Sequence, residues 1–200
     1  MDVEIEGQKL TLFIDYDRDK LGKLSYVGKI LYFEKRVRKI LINPLQIMMQ
    51  KEIFEKLEPE DGNSVAWLCI VSLICAGIEA LGGFYKGKAT KDSFIDFLCD
   101  YMDPIFKNNK YGKTTLGQCV RDHFRNGLAH GFSISQGGVE HFQKYYEIDK
   151  FGLQINPRYF WKDFQDAFDK YIEDLRKLSK NEKMANNFLK RFECVFIKGM

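Results

Sequence analysis

The sequence predicts a mainly helical bundle with a small antiparallel β-hairpin element, arranged as one domain over residues 1–200. Three observations carry this. Apolar residues recur at every third or fourth position through much of the chain, most clearly at Phe160, Phe164, Phe168, Ile172 and Leu175. Proline and glycine signals separate these stretches at intervals that suit helices. Alternating β-type residues are confined to short runs near 9–15 and 132–155. At 45% hydrophobic and 14% aromatic, the chain can bury a substantial core, which excludes a disordered polypeptide.

Residues 1–43 read as an N-terminal extension with basic and β character, and 44–200 as the helical core with a β insert near 132–156. Leu10, Leu12 and Ile14 alternate, so a short strand is expected over 9–15, followed by a charged turn to Lys20. Tyr26, Ile30 and Phe33 fit a helix, while Val37, Ile40 and Ile42 suit helix or strand. Asn43-Pro44 is expected to break that stretch. Pro44 then starts a helix to about Leu57, and residues 59–62 form a turn. Asn63 or Ser64 caps an apolar helix ending near Leu81. Residues 65–84 approach a membrane span in length, yet Glu79 and the internal glycines favour the central helix of a soluble bundle. Thr90 caps the next helix, which ends before Asp103-Pro104, and 107–113 is a basic loop. Thr114 or Thr115 starts the helix that follows. Gly137-Gly138 reads as a turn within the hairpin, with strands at 146–148 and 153–155. Pro157 opens a long helix to about Leu178, and Asn181 opens a last one carrying Met184, Phe188, Phe192 and Phe196.

The formal net charge of +3 decides little, but its distribution is uneven. Eight basic residues face two acidic ones between Arg18 and Lys39, interleaved with Tyr26, Tyr32 and Phe33. That makes this stretch the best candidate for a nucleic-acid groove, against the plainer reading of a solvated surface. The five cysteines are odd in number, lack a Cys-x-x-Cys and sit in apolar runs. They imply a reducing cytosol, with no disulfide framework, zinc site or other cofactor. Residues 1–7 are acidic, unlike a secretory signal. Gly82 with Gly87-Lys88 imitates a phosphate loop, but Ala89 stands where a magnesium-binding Ser or Thr belongs.

Residues 120–132 gather the chemistry. Two of the three histidines, His123 and His130, lie here with Arg121, Arg125 and Asn126. Leu116, Val120, Phe124 and Leu128 recur every four positions, so the segment is expected to be a helix with one buried stripe. Asn126 and His130 then share a face, whereas Arg125 lies about 140° from His130. Arg125 and His130 can meet one substrate only if the helix bends or ends at Gly127 or Gly131, or if a second subunit completes the site. Imidazole can move protons near neutral pH, and guanidinium can grip phosphate oxygens. With no nucleophile or metal cluster nearby, the set suits RNA cleavage by the substrate's own 2′-hydroxyl. A plainer alternative is that Arg125 and His130 cap the helix C-terminus. Glu79 is the one charge in the apolar helix, where a buried carboxylate needs a partner; the plainer reading is a carboxylate near the helix end that reaches solvent.

Arg125-Asn126 followed by His130 resembles the arginine–four residues–histidine signature of HEPN domains. The six-residue motif is the specific part, and helix layout extends the likeness loosely over 44–196. The resemblance implies an all-helical fold and a homodimer that pools two motifs in one cleft. It also implies metal-independent endoribonuclease activity in defence or toxin systems, leaving a 2′,3′-cyclic phosphate and a 5′-hydroxyl. On it, His130 is the general acid/base, Arg125 the phosphate partner and Asn126 the residue that orients them. His123 is the reserve imidazole. Glu79 resembles the acidic residue that HEPN domains often set opposite the motif, a placement that implies a bond to Arg125 or to the His130 ring. Phe132 stands where some members carry a modified tyrosine, so that control is not expected here.

The expected partners are RNA, a second copy of the chain and an antitoxin or neighbouring defence protein, in the cytoplasm and without a membrane. A different class of function is a module that binds RNA or protein without cutting. A third is a structural subunit held by a neighbouring gene product.

Overall fold

The computed structural model describes residues 2–12, 17–50, 65–131, 133–139 and 144–199. It is mainly helical with small β elements, as the apolar periodicity predicts. The expected helix end at Leu57, the turn at 59–62, the Asn63 or Ser64 cap and Phe132 lie outside the described residues.

The chain begins with a hairpin, β1 (Asp2–Ile5) against β2 (Gln8–Thr11). Its two-residue turn places Glu6 at φ 51° and Gly7 at φ 71°, and two positive angles match the twist of the flanking strands. The sequence predicts one strand here, over 9–15; its partner β1 also alternates polar and apolar residues, but over only four positions. Helix α1 (Arg18–Lys23) replaces the expected charged turn and is capped by Asp17. Ser25 caps α2 (Tyr26–Val37), and its backbone N–H donates to Glu6 Oε2 at 3.0 Å, which ties the hairpin to the helix.

Asn43-Pro44 does not break the chain. A π-turn over Arg38–Ile42 leads directly into α3 (Asn43–Met48). Proline lacks a backbone N–H and crowds the carbonyl one turn earlier, and the wider turn before it absorbs that mismatch.

Helix α4 (Val65–Lys86) is the central element. Ile70, Val71, Ile74, Cys75, Ile78 and Leu81 are buried along it. The stretch Ala66–Lys86 is long and apolar enough to cross a membrane by length and composition, and 61% of its apolar window is buried inside the molecule. A core helix surrounded by partners has that same composition. Thr90 and Ser93 form a capping box at the start of α5 (Lys91–Tyr101), which packs along α4. Gly82 permits that approach, because a Cβ there would sit 2.3 Å from the Ser93 carbonyl oxygen. The phosphate-loop imitation at Gly82 is therefore a helix-packing glycine.

The short helix α6 (Ile105–Asn108) and the small pair β3 (Lys110–Tyr111) with β4 (Thr114–Thr115) occupy the expected basic loop. Three more strands follow the motif region: β5 (Gly137–Val139), β6 (Tyr146–Asp149) and β7 (Gly152–Ile155). β6 and β7 form the expected antiparallel hairpin. β5 adds to it in parallel, giving the order β5-β7-β6. Gly137-Gly138 thus lies in a strand and not in a turn. The turn is at Lys150-Phe151, where Asp149 Oδ1 accepts from the N–H groups of Phe151 and Gly152.

Beyond the motif region, which holds α7 (Leu116–Cys119) and α8 (Asn126–Gly131), Asn156 caps α9 (Pro157–Lys177). The final helix α10 (Lys183–Phe192) runs on through a π-turn over Glu193–Lys198. Phe33, Phe84 and Phe188 pack with centroids 4.3 to 5.8 Å apart, and Phe192 and Phe196 extend the cluster. The N-terminal residues Ile5, Leu10, Leu21, Ile30 and Tyr32 belong to the same buried cluster as α4, α9 and α10.

Candidate functional site

The motif helix is continuous from Leu116 to Gly131. It comprises α7 (Leu116–Cys119), a π-turn over Val120–Arg125 and α8 (Asn126–Gly131). Thr115 and Gln118 form its capping box. Leu116, Val120, Phe124 and Leu128 are buried, so the predicted stripe does face the core.

Arg125 points to α4. Its Nε donates to Glu79 Oε2 at 3.0 Å, and its Nη2 donates to Oε1 at 2.8 Å and to Oε2 at 2.6 Å. This two-pronged contact matches the planar fork of guanidinium to a carboxylate. Arg125 Nη1 also donates to Asn126 Oδ1 at 3.1 Å. Of the partners open to Glu79 in the sequence, Arg125 is the one the structure supplies. Because α4 continues to Lys86, Glu79 lies well inside the helix and not near its end.

A second arginine joins this group. Arg121 Nη1 donates to the same Asn126 Oδ1. The pairing depends on the π-turn, in which the Asn126 backbone N–H bonds the Arg121 carbonyl five residues back. On a regular α-helix those residues would be about 140° apart. The wider turn brings them to one side, and turns of this kind are often found at functional sites. Arg121 was legible as a neighbour of the motif but not as a member of the cluster, because its spacing fits only a helix with this insertion.

His123 and His130 do not join this group. His130 is exposed in the last turn of α8, and its ring makes no hydrogen bond to a described residue. His123 is half-buried, with Nδ1 2.8 Å from Ser135 Oγ. Arg125 and His130 are therefore not brought together within one chain. The helix does not end at Gly127 but continues through it to Gly131. The role of Gly127 is close approach: a Cβ there would lie 2.1 Å from the Ser133 carbonyl oxygen, and Ser133 N–H bonds the Gly127 carbonyl at 3.3 Å. The chain leaving the helix folds back onto this glycine and carries Ser135 to His123.

Burial pushes the Cys75 thiol up to about 12, partly offset by the charge of Arg125 nearby. It is fully buried and packs as a small apolar residue in the core. Among the described residues, no group of three His, Cys, Asp or Glu side chains is arranged to hold a metal ion.

The basic stretch from Arg18 to Lys39 does not form the expected stacking groove. Tyr26, Tyr32 and Phe33 are buried, and the two tyrosine hydroxyls donate to the carbonyls of Leu175 and Thr11. Arg38 is paired with Glu34 and Asp169, and Arg36 donates to the Leu12 carbonyl. The aromatic rings serve the core, so no base-stacking platform interleaves these charges.

Comparison with family models, curated proteins and solved structures finds no significant match. The functional reading therefore rests on the residues themselves.

Proposed function

We propose that this chain is a HEPN-type endoribonuclease that cleaves RNA through the substrate's own 2′-hydroxyl. The observation that carries the reading is the clamp of Glu79 on Arg125, next to Asn126, in the helix whose last turn bears His130. The clamp aligns a permanently charged guanidinium beside an amide, while the imidazole stays open to solvent. His130 takes the 2′-hydroxyl proton or returns a proton to the leaving 5′-oxygen. The 2′-oxygen bonds to phosphorus as the bond to the 5′-oxygen breaks, leaving a 2′,3′-cyclic phosphate and a 5′-hydroxyl. Arg125 stabilises the charge that builds on the phosphoryl oxygens. The nucleophile belongs to the substrate, so the mechanism calls for no metal.

Since Arg125 and His130 face different ways, a homodimer supplies the missing half of the site, with each helix completing its partner. Such an enzyme suits a cytoplasmic defence or toxin–antitoxin role, restrained by an antitoxin or a neighbouring defence protein.

One observation favours a second reading. All three guanidinium nitrogens of Arg125 already have acceptors, Nε and Nη2 on Glu79 and Nη1 on Asn126. A site so satisfied also suits a module that binds RNA or protein without cutting it. The test is incubation of wild-type and His130→Ala protein with labelled single-stranded RNA in EDTA. Cleavage by the wild type to cyclic-phosphate ends, reduced about 10²- to 10⁴-fold in the variant, supports the nuclease. Equal cleavage by both proteins overturns the role of His130. Salt-sensitive binding without cleavage transfers the assignment to the binding module.

A further inference from the structure

Arg121 has no part in the motif as the sequence presents it, yet it is the less satisfied of the two clustered arginines. Glu79 is spent on Arg125. Arg121 has the shared amide oxygen of Asn126 and, at 3.9 Å, the Asp122 carboxylate. Asp122 in turn is engaged by Lys91 at 3.1 Å. Among the described residues the Arg121 Nε, sealed from solvent, finds no acceptor. Two guanidiniums therefore point at one neutral oxygen, with Arg121, Arg125 and Lys91 set against Glu79 and Asp122. One positive charge is left over in a region of reduced dielectric, where like charges repel more strongly than in water. An anion placed against the exposed part of the pair relieves that repulsion.

We infer that Arg121 is a second phosphate-binding residue, holding a backbone phosphate of the RNA strand while Arg125 acts on the reacting one. This rests on the nuclease reading and deepens it. The π-turn is the device that creates the subsite, by bringing Arg121 round to Asn126. The side chain keeps 14% of its surface exposed, which leaves it open to contact from outside. Asn126 becomes a spacer that holds two like charges side by side, in addition to orienting Arg125.

The experiment measures binding of a non-cleavable 2′-O-methyl oligonucleotide across a salt series, using wild type, Arg121→Gln and Arg121→Lys. Thermal melts establish that each variant is folded. Loss of one charged contact should weaken binding by about tenfold to a hundredfold in Arg121→Gln. The dependence of log affinity on log salt should also shallow by about 0.7, the share of one phosphate on a single strand. Arg121→Lys should keep the salt slope while losing affinity, because it retains charge without the planar fork. On cleavable RNA, Arg121→Gln should raise KM more than it lowers kcat. Wild-type-like affinity and slope in a folded Arg121→Gln protein would overturn the subsite and leave the nuclease reading intact. Binding that depends on Arg121 in a protein that cleaves no RNA would support the subsite and defeat the nuclease. No binding by the wild type would overturn both.

Discussion

Glu79 is a single carboxylate in an otherwise apolar helix, and its contact with Arg125 illustrates what one residue can organise. The pair is partly open, with side-chain exposures of 30% and 21%. Breaking it should cost less than the roughly 3–5 kcal/mol seen for a fully buried pair. Glu79→Gln keeps the shape but removes the charge, and should destabilise the fold by about 1–3 kcal/mol in urea titrations. A larger effect on RNA cleavage than on stability would show that the clamp positions Arg125 for chemistry. A stability loss with unchanged cleavage would reduce it to a structural tie. The sequence exposed Glu79 because a charge in an apolar run demands a partner, but several partners were open to it. The choice of Arg125 depended on which helix faces packed.

At the scale of elements, the motif helix departs from regular geometry at two points with different causes. The π-turn over Val120–Arg125 changes which side chains meet, while Gly127 lets the following chain fold back. Apolar spacing revealed neither. Leu116, Val120, Phe124 and Leu128 keep their stripe across the wider turn, so the core-facing pattern looks like an ordinary helix. Gly127→Ala should clash with the Ser133 carbonyl and cost about 1–3 kcal/mol, as overpacking does. Chemical denaturation would measure the loss. The same variant should disturb the His123–Ser135 contact, visible as a shift in the His123 ring resonances. An unchanged melt would mean that the return of the chain onto this glycine adds nothing to stability.

Across the whole molecule, Asp163 links three parts of the fold. It lies on α9, accepts from Tyr145 Oη at 2.6 Å and accepts from the Asp103 backbone N–H at 2.9 Å. Burial pushes its carboxyl above the ordinary range, although those two bonds act in the opposite direction. The folded protein therefore holds this proton more tightly than the unfolded chain. The contribution is fully present below the ordinary carboxylate pKa and is lost as pH rises through the raised value. Asp163→Asn removes the titration. Melting temperatures followed upward from about pH 3.5 should show wild type losing stability relative to Asp163→Asn across that window. A constant difference between the two proteins would exclude Asp163 as the source of the pH dependence.

By itself the sequence determined the helical class, the buried stripes, the Thr90 cap, the β6–β7 hairpin and the motif on a helix. Each follows from local spacing and capping chemistry, which neighbouring residues encode directly. Tertiary structure decided that Asn43-Pro44 continues a helix, that β5 joins the sheet in parallel and that the aromatics among the basic residues are buried. It also decided that Arg121 joins Arg125 through Asn126, while His130 stays apart. These outcomes depend on distant packing and on one extra residue in a helical turn, and no local pattern records either.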